Sequence, residues 1–286
     1  MIKKTFLALM VLGVLATSCS DDDNAPGLST LTLDLSGLEP LGDDFVYEGW
    51  IIVDGSPVST GVFSSVSFPQ AFTVDAQQLI TATRFVLSIE PAEDPDPAPA
   101  DTKLLFGDFS GNEASVNSDI VGDFSSASGS FFLRTPTDET GINNGNDHYG
   151  VWFGTPGMPP TPNFVLPTLP DGWVYEGWVV GDGGPISTGT FTAFNVADGF
   201  NEFSETLQSG PPVPGEDFFL NAPIGETFPL DVRGRTVVIS VEPVPDNSPA
   251  PFSIKPLVGT AGQETAPSTH NFGQNSGSLP FCTVTR

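Results

Sequence analysis

One unit is written twice along this chain, and that duplication restricts its fold more than any other feature. Residues 43–63 read DDFVYEGWIIVDGSPVSTGVF and residues 171–191 read DGWVYEGWVVGDGGPISTGTF, identical at 13 of 21 positions. A second pair follows, TRFVLSIEPAEDPDPAPADTKLLFG at 83–107 and RTVVISVEPVPDNSPAPFSIKPLVG at 235–259, identical at 11 of 25. Repeated segments of one sequence bury their apolar faces in one way, so the two copies should share an architecture. The offset grows from 128 residues in the first pair to 152 in the second, which places a 24-residue insertion in the second copy within 192–234.

Within each copy the apolar residues come in short runs cut by Gly and Pro, which number 31 and 28 and make the punctuation dense. Such spacing predicts strands joined by turns. Residues 31–35 (LTLDL) alternate cleanly, and 46–53 and 174–180 read as strand cores. Asp54-Gly55 and Asp182-Gly183 supply turn dipeptides, because Gly accepts positive φ. In 85–90 the residues Phe85, Leu87 and Ile89 share a face, as do Val237, Ile239 and Val241, and Pro91 and Pro243 stop those strands. Residues 130–134 and 149–153 are also strand-like. The expected fold class is all-β, as two tandem immunoglobulin-like β-sandwich domains. The expected boundaries are a signal peptide at 1–18, an acidic tether at 19–27, and domains at 28–158 and 159–286, with the proline-rich stretch 154–172 as a semi-rigid connection.

The N-terminus sets the compartment. Lys3 and Lys4 precede a run of 12 almost wholly apolar residues at 5–16, shorter than the roughly 20 that cross a bilayer. This is the pattern of a secretory signal. Leu15-Ala16-Thr17-Ser18-Cys19 resembles a lipobox, with Cys19 as the lipid-attachment residue and the membrane as its partner. Ser20, Asp21, Asp22 and Asp23 form a solvated acidic run. It resembles the tag that sends lipoproteins to the outer face of the outer membrane; the periplasmic face is the alternative. The formal charge is −26, and removing the two signal lysines takes it to −28. That field repels nucleic acid and favours cationic or neutral partners. Beyond Cys19 the only cysteine is Cys282, which excludes an internal disulfide and reads as a small buried apolar residue.

Four aromatic residues stand out. Tyr47 and Trp50, like Tyr175 and Trp178, differ by three and point to opposite faces of a strand. One of each pair belongs to the core, and the other is a possible ligand contact. Glu48, Glu176, Glu90 and Glu242 recur at turn-proximal places in both copies, which favours a fold-level role such as accepting loop N–H bonds over catalysis. The loop 138–147 gathers oxygen ligands, with Asp138, Asn143 and Asp147 as a weak calcium candidate, although it lacks the spacing of an EF-hand; no other cofactor is expected. Two histidines, His148 and His270, offer little for zinc. No nucleophile elbow, phosphate loop or dinucleotide fingerprint is present. No catalytic residue is assigned, and the chain reads as non-enzymatic.

The succession Tyr-Glu-Gly-Trp, Asp-Gly-x-Pro-[Val/Ile]-Ser-Thr-Gly-x-Phe, an apolar strand ending in Glu-Pro, and Pro-Ala-Pro resembles the C-terminal extracytoplasmic domain of anti-sigma-K factors, in two copies of about 45 residues. The resemblance implies a sandwich fold outside the cytoplasmic membrane. The sigma-binding helical domain and membrane helix of those factors find no counterpart in the sequence. The expected function is a lipid-anchored envelope protein that binds or senses an extracytoplasmic ligand, an envelope protein or a glycan. The alternative is a surface glycan-binding or glycan-hydrolysing lipoprotein that uses carboxylates.

Overall fold

A computed structural model describes residues 27–138 and 145–286. The chain runs β1 (Leu28–Ser36), β2 (Phe45–Val53), β3 (Ser56–Phe63), β4 (Gln70–Asp75), a short helix α1 (Ala76–Thr81), β5 (Arg84–Pro91), β6 (Lys103–Ser110), β7 (Glu113–Asn117), β8 (Ser130–Leu133) and β9 (Gly150–Phe153). It continues through β10 (Trp173–Val180), β11 (Pro185–Phe191), β12 (Gly215–Asp217), β13 (Thr236–Pro243), β14 (Leu257–Thr260), β15 (His270–Asn271), β16 (Gly273–Gln274) and β17 (Phe281–Thr285). The class is all-β, with sheets packed in sandwich-like and barrel-like layers.

The two copies of the repeat form the same four-stranded order. The first gives β3-β2-β5-β6 and the second β11-β10-β13-β14. Register is shared as well: Tyr47 pairs with Ile89 and Trp50 with Val86, while Tyr175 pairs with Val241 and Trp178 with Val238. The β2–β3 turn places Asp54 at φ 51° and Gly55 at φ 80°, the two positive values that a tight hairpin needs. A bulge interrupts β2–β3 at Gly49/Trp50, and another interrupts β10–β11 at Glu176/Trp178.

Each copy needs a second layer over its apolar face. In the first, the sheet continues through β7-β17-β1-β4 into eight strands and curls until Phe63 of β3 lies 5.6 Å from Phe72 of β4. Leu31, Leu33, Leu35, Val116 and Val284 cover Tyr47, Ile51 and Leu87 from that layer. In the second, the covering layer is a separate sheet, β12-β9-β8-β15. Phe153 of β9 packs 6.0 Å from Phe191 and so close to Gly177 that a Cβ there would collide with its ring.

Strand pairing therefore corrects the expected boundary at 158/159. β8 and β9 belong with β12 and β15, and β17 belongs with β1 and β7. The reason is shared by both copies: the strand that starts the covering layer precedes the repeat, as β1 precedes β2 and β9 precedes β10. One continuous apolar core includes residues of both copies. Nor is 154–172 a bare connection. Phe164 stacks on Phe194 at 4.1 Å and Thr155 bridges Thr161. The 24-residue insertion carries β12, the strand that extends the covering sheet next to β9.

Candidate functional site

The outer face of each repeat sheet carries a matching set of polar side chains. On β2 and β5 these are Glu48, Trp50, Ser88 and Glu90; on β10 and β13 they are Glu176, Trp178, Ser240 and Glu242. In the first copy Trp50 Nε1 donates to Ser88 Oγ at 2.8 Å, and Ser88 Oγ donates to Glu90. Glu90 then accepts the N–H of Ala100 at 2.9 and 3.2 Å. The second copy repeats the relay: Trp178 Nε1 to Ser240 Oγ at 2.7 Å, Ser240 to Glu242, and the Phe252 N–H to Glu242 at 3.0 and 3.1 Å. The glutamate at each strand end thus holds the loop that follows the Glu-Pro dipeptide, the role suggested by its turn-proximal place. Glu48 and Glu176 accept from Ser59 and Ser187 across the adjacent hairpin.

All four aromatic residues are buried, Tyr47, Trp50, Tyr175 and Trp178 each at 3 % exposure or less. Their burial agrees with the reading of these rings as packing residues, and leaves little surface on them for a ligand. Tyr47 and Tyr175 fill the inner core and donate their hydroxyls to the carbonyls of Glu39 at 2.8 Å and Pro167 at 2.6 Å. The tryptophans do face the other way, each held by its relay, and Trp50 borders a cavity of about 380 Å³ with Glu90 and Pro91.

Electrostatically the second copy is the tighter. Burial pushes the Glu242 carboxyl up to about 8, with Glu176 and Asp246 adding repulsion. Burial likewise pushes Glu176 up to about 7, and Glu90 is raised by the same cause. Oxygens of Glu176, Glu242 and Asp246 lie within 4.8 Å of one another, the one group among the described residues with the spacing of a metal site. Asp246 also borders a cavity of about 270 Å³ between the Pro40–Leu41 segment of one copy and the Pro245–Pro249 loop of the other. Glu39 lines that cavity with its carboxyl pushed up to about 7 by burial.

Sequence reasoning passed over a further set. A cavity of about 470 Å³ opens under the insertion, bordered by Trp152, Asp198, Ser204, Glu205 and Gln208. Behind it Asp217 accepts from Thr137 N at 2.9 Å and from Trp152 Nε1 at 2.9 Å, while Glu216 accepts from Ser204. Burial raises Asp198 to about 6, Asp217 to about 7 and Glu216 to about 8. The one signal was the adjacent acidic pair at the end of the insertion. Of the calcium candidate, Asn143 lies outside the described residues; Asp138 accepts from Asn146, and Asp147 is buried in a 3-10 turn. Cys19, Ser20, Asp21, Asp22 and Asp23 also lie outside the described residues. The two histidines serve separate places: His270 Nε2 meets the Glu264 carbonyl at 2.9 Å, and His148 packs on Tyr149. Burial pushes the Cys282 thiol up to about 12, so it is an inert packing residue.

Fold and site together define an acidic, all-β module with a repeated hairpin unit whose polar residues tie its loops. Residues 16–103 match the family model for the anti-sigma-K factor rskA C-terminal domain. That stretch ends at the start of β6, so the similarity covers the first copy of the repeat except its last strand. No curated protein and no solved structure matches the chain. Among the described residues no helix is long and apolar enough to cross a membrane.

Proposed function

We propose that the chain is a non-enzymatic extracytoplasmic binding or sensory module, held to the membrane through lipid on Cys19 and facing the cell exterior. The similarity of residues 16–103 to the anti-sigma-K factor C-terminal domain carries this reading. The recurrence of the same strand order in the second copy supports it, since doubling multiplies the loop ends available to a partner. The engagement of Glu90 and Glu242 by loop N–H groups favours a structural use of these carboxylates over hydrolysis. The charge of −26 directs the module to cationic or neutral partners, an envelope protein or a glycan.

The test is cross-linking of the tagged full chain on intact cells, followed by affinity recovery under denaturing conditions. A discrete envelope protein or glycan, lost when free chain competes, is the expected result. Recovery of nothing above a lipidated control counts against the reading. Turnover of a glycan panel that Glu176→Gln abolishes, with the fold intact, would establish the hydrolytic alternative.

A further inference from the structure

The last strand of the chain closes the first copy of the repeat. β17 lies between β7 and β1 in the eight-stranded sheet, antiparallel to both, with five residue pairs on each side. Cys282 and Val284 point inward and are buried, while Phe281, Thr283 and Thr285 face solvent. Beyond it Arg286 is fixed at four contacts. Its guanidinium donates to the carbonyls of Leu79 and Ala82 at 2.8 Å each, which end α1, and to Gly111 at 2.8 and 3.1 Å. It also lies 4.4 Å over the Phe109 ring. All of these partners precede residue 118. The only route from the second copy into this slot is the short run after Asn275, which the Lys255 backbone ties down through Asn275 and Ser278.

Among the described strands β17 is the one that pairs with both β1 and β7. β1 and β7 both run antiparallel to β17, so they run parallel to each other, and each keeps a full row of unpaired backbone groups when β17 is withdrawn. We propose that the gap between β1 and β7 is a strand-accepting site whose ligand is an extended segment of the β17 type, supplied here in cis and by a second copy of this chain in trans. Backbone hydrogen bonds on both sides give the affinity. The pockets for Cys282 and Val284 and the carbonyl cradle for Arg286 give the specificity, as in other strand-addition complexes.

The experiment uses the full chain with a specific protease site inserted at Gly277, which is exposed and has nothing within 4 Å of a Cβ position. After folding and cleavage in reductant, a fluorescent peptide of residues 279–286 is added. The peptide should exchange into the cleaved protein with one-to-one stoichiometry and a rise in anisotropy, reversed by unlabelled peptide. A Val284→Asp peptide should bind at least about 100-fold more weakly, because it would bury a charge, and an Arg286→Ala peptide about tenfold more weakly, through lost carbonyl contacts. Should cleavage unfold the protein, excess wild-type peptide must restore the fold in a concentration-dependent manner. Cleaved protein that sheds the segment with unchanged melting temperature, or that neither binds the peptide nor is refolded by it, overturns the proposal.

Discussion

Replacing Glu242 with glutamine should change the pH dependence of stability in a defined direction. The Glu242 side chain is fully buried, and burial moves its carboxyl from 4.5 to about 8. The folded state therefore keeps this proton to a higher pH than the unfolded state does. Its contribution is complete below about pH 4.5 and is lost as the pH rises toward 8. At about 1.4 kcal/mol per unit, the interval sets a ceiling of about 5 kcal/mol, a large part of the roughly 5–15 kcal/mol typical of a domain. The glutamine of the variant has no proton to lose. Its carbonyl still accepts from Ser240 and the Phe252 N–H, but its NH2 replaces the second oxygen that the Phe252 N–H also meets, at a cost of about 1 kcal/mol. Denaturant unfolding at pH 5, 7 and 9 should then give curves that cross: E242Q less stable than the parent at pH 5, and equal or more stable at pH 9. Distant buried carboxyls such as Glu216 titrate alike in both proteins, so the difference reports Glu242 together with the Glu176 and Asp246 carboxyls that repel it. Parallel curves across the range would refute the account of a proton held at this carboxyl.

Three further outcomes follow from the same geometry. Trp178→Phe should cost about 1 kcal/mol for the lost bond to Ser240, beyond the volume change, and a double-mutant cycle with Ser240→Ala should show coupling of about 0.5–1.5 kcal/mol. Gly107→Ala should lower the denaturant midpoint by the equivalent of about 1–3 kcal/mol, because a Cβ there drives into the Ser115 carbonyl of the neighbouring strand. Calcium and chelator should give the same melting temperature, since the Glu242 and Glu176 oxygens already serve Phe252, Ser240 and Ser187; a rise of several degrees in calcium would show that these carboxylates do take an ion.

The strands were legible where local chemistry decides them. The repeats mark β2, β3 and β5 and their counterparts within a residue or two, and Asp54-Gly55 fixes its hairpin by its backbone freedom alone. The loop-holding use of Glu90 and Glu242 could also be read, because both stand beside a strand-ending proline in each copy. Distant pairing could not be read. Nothing in Phe281–Thr285 says that it will lie beside β1, at the other end of the chain, since an alternating segment of five residues suits any open edge. The burial of Trp50 and Trp178 was hidden for a related reason. Strand periodicity tells which face a side chain takes, and not whether a loop will be folded over that face. The cavity under the insertion depends on β9 and β12 meeting, which is again a matter of topology.

The 24 added residues fall between β11 and β13, the interval that the first copy fills with β4 and α1, and they border a cavity beside β12. A duplicated framework of this kind divides labour between its halves. One can serve as a keel, while its twin is free to accept new loops and with them new chemistry. Variation among descendants of such a chain should therefore gather around Ser204 and Gln208, and leave the paired hairpins almost untouched.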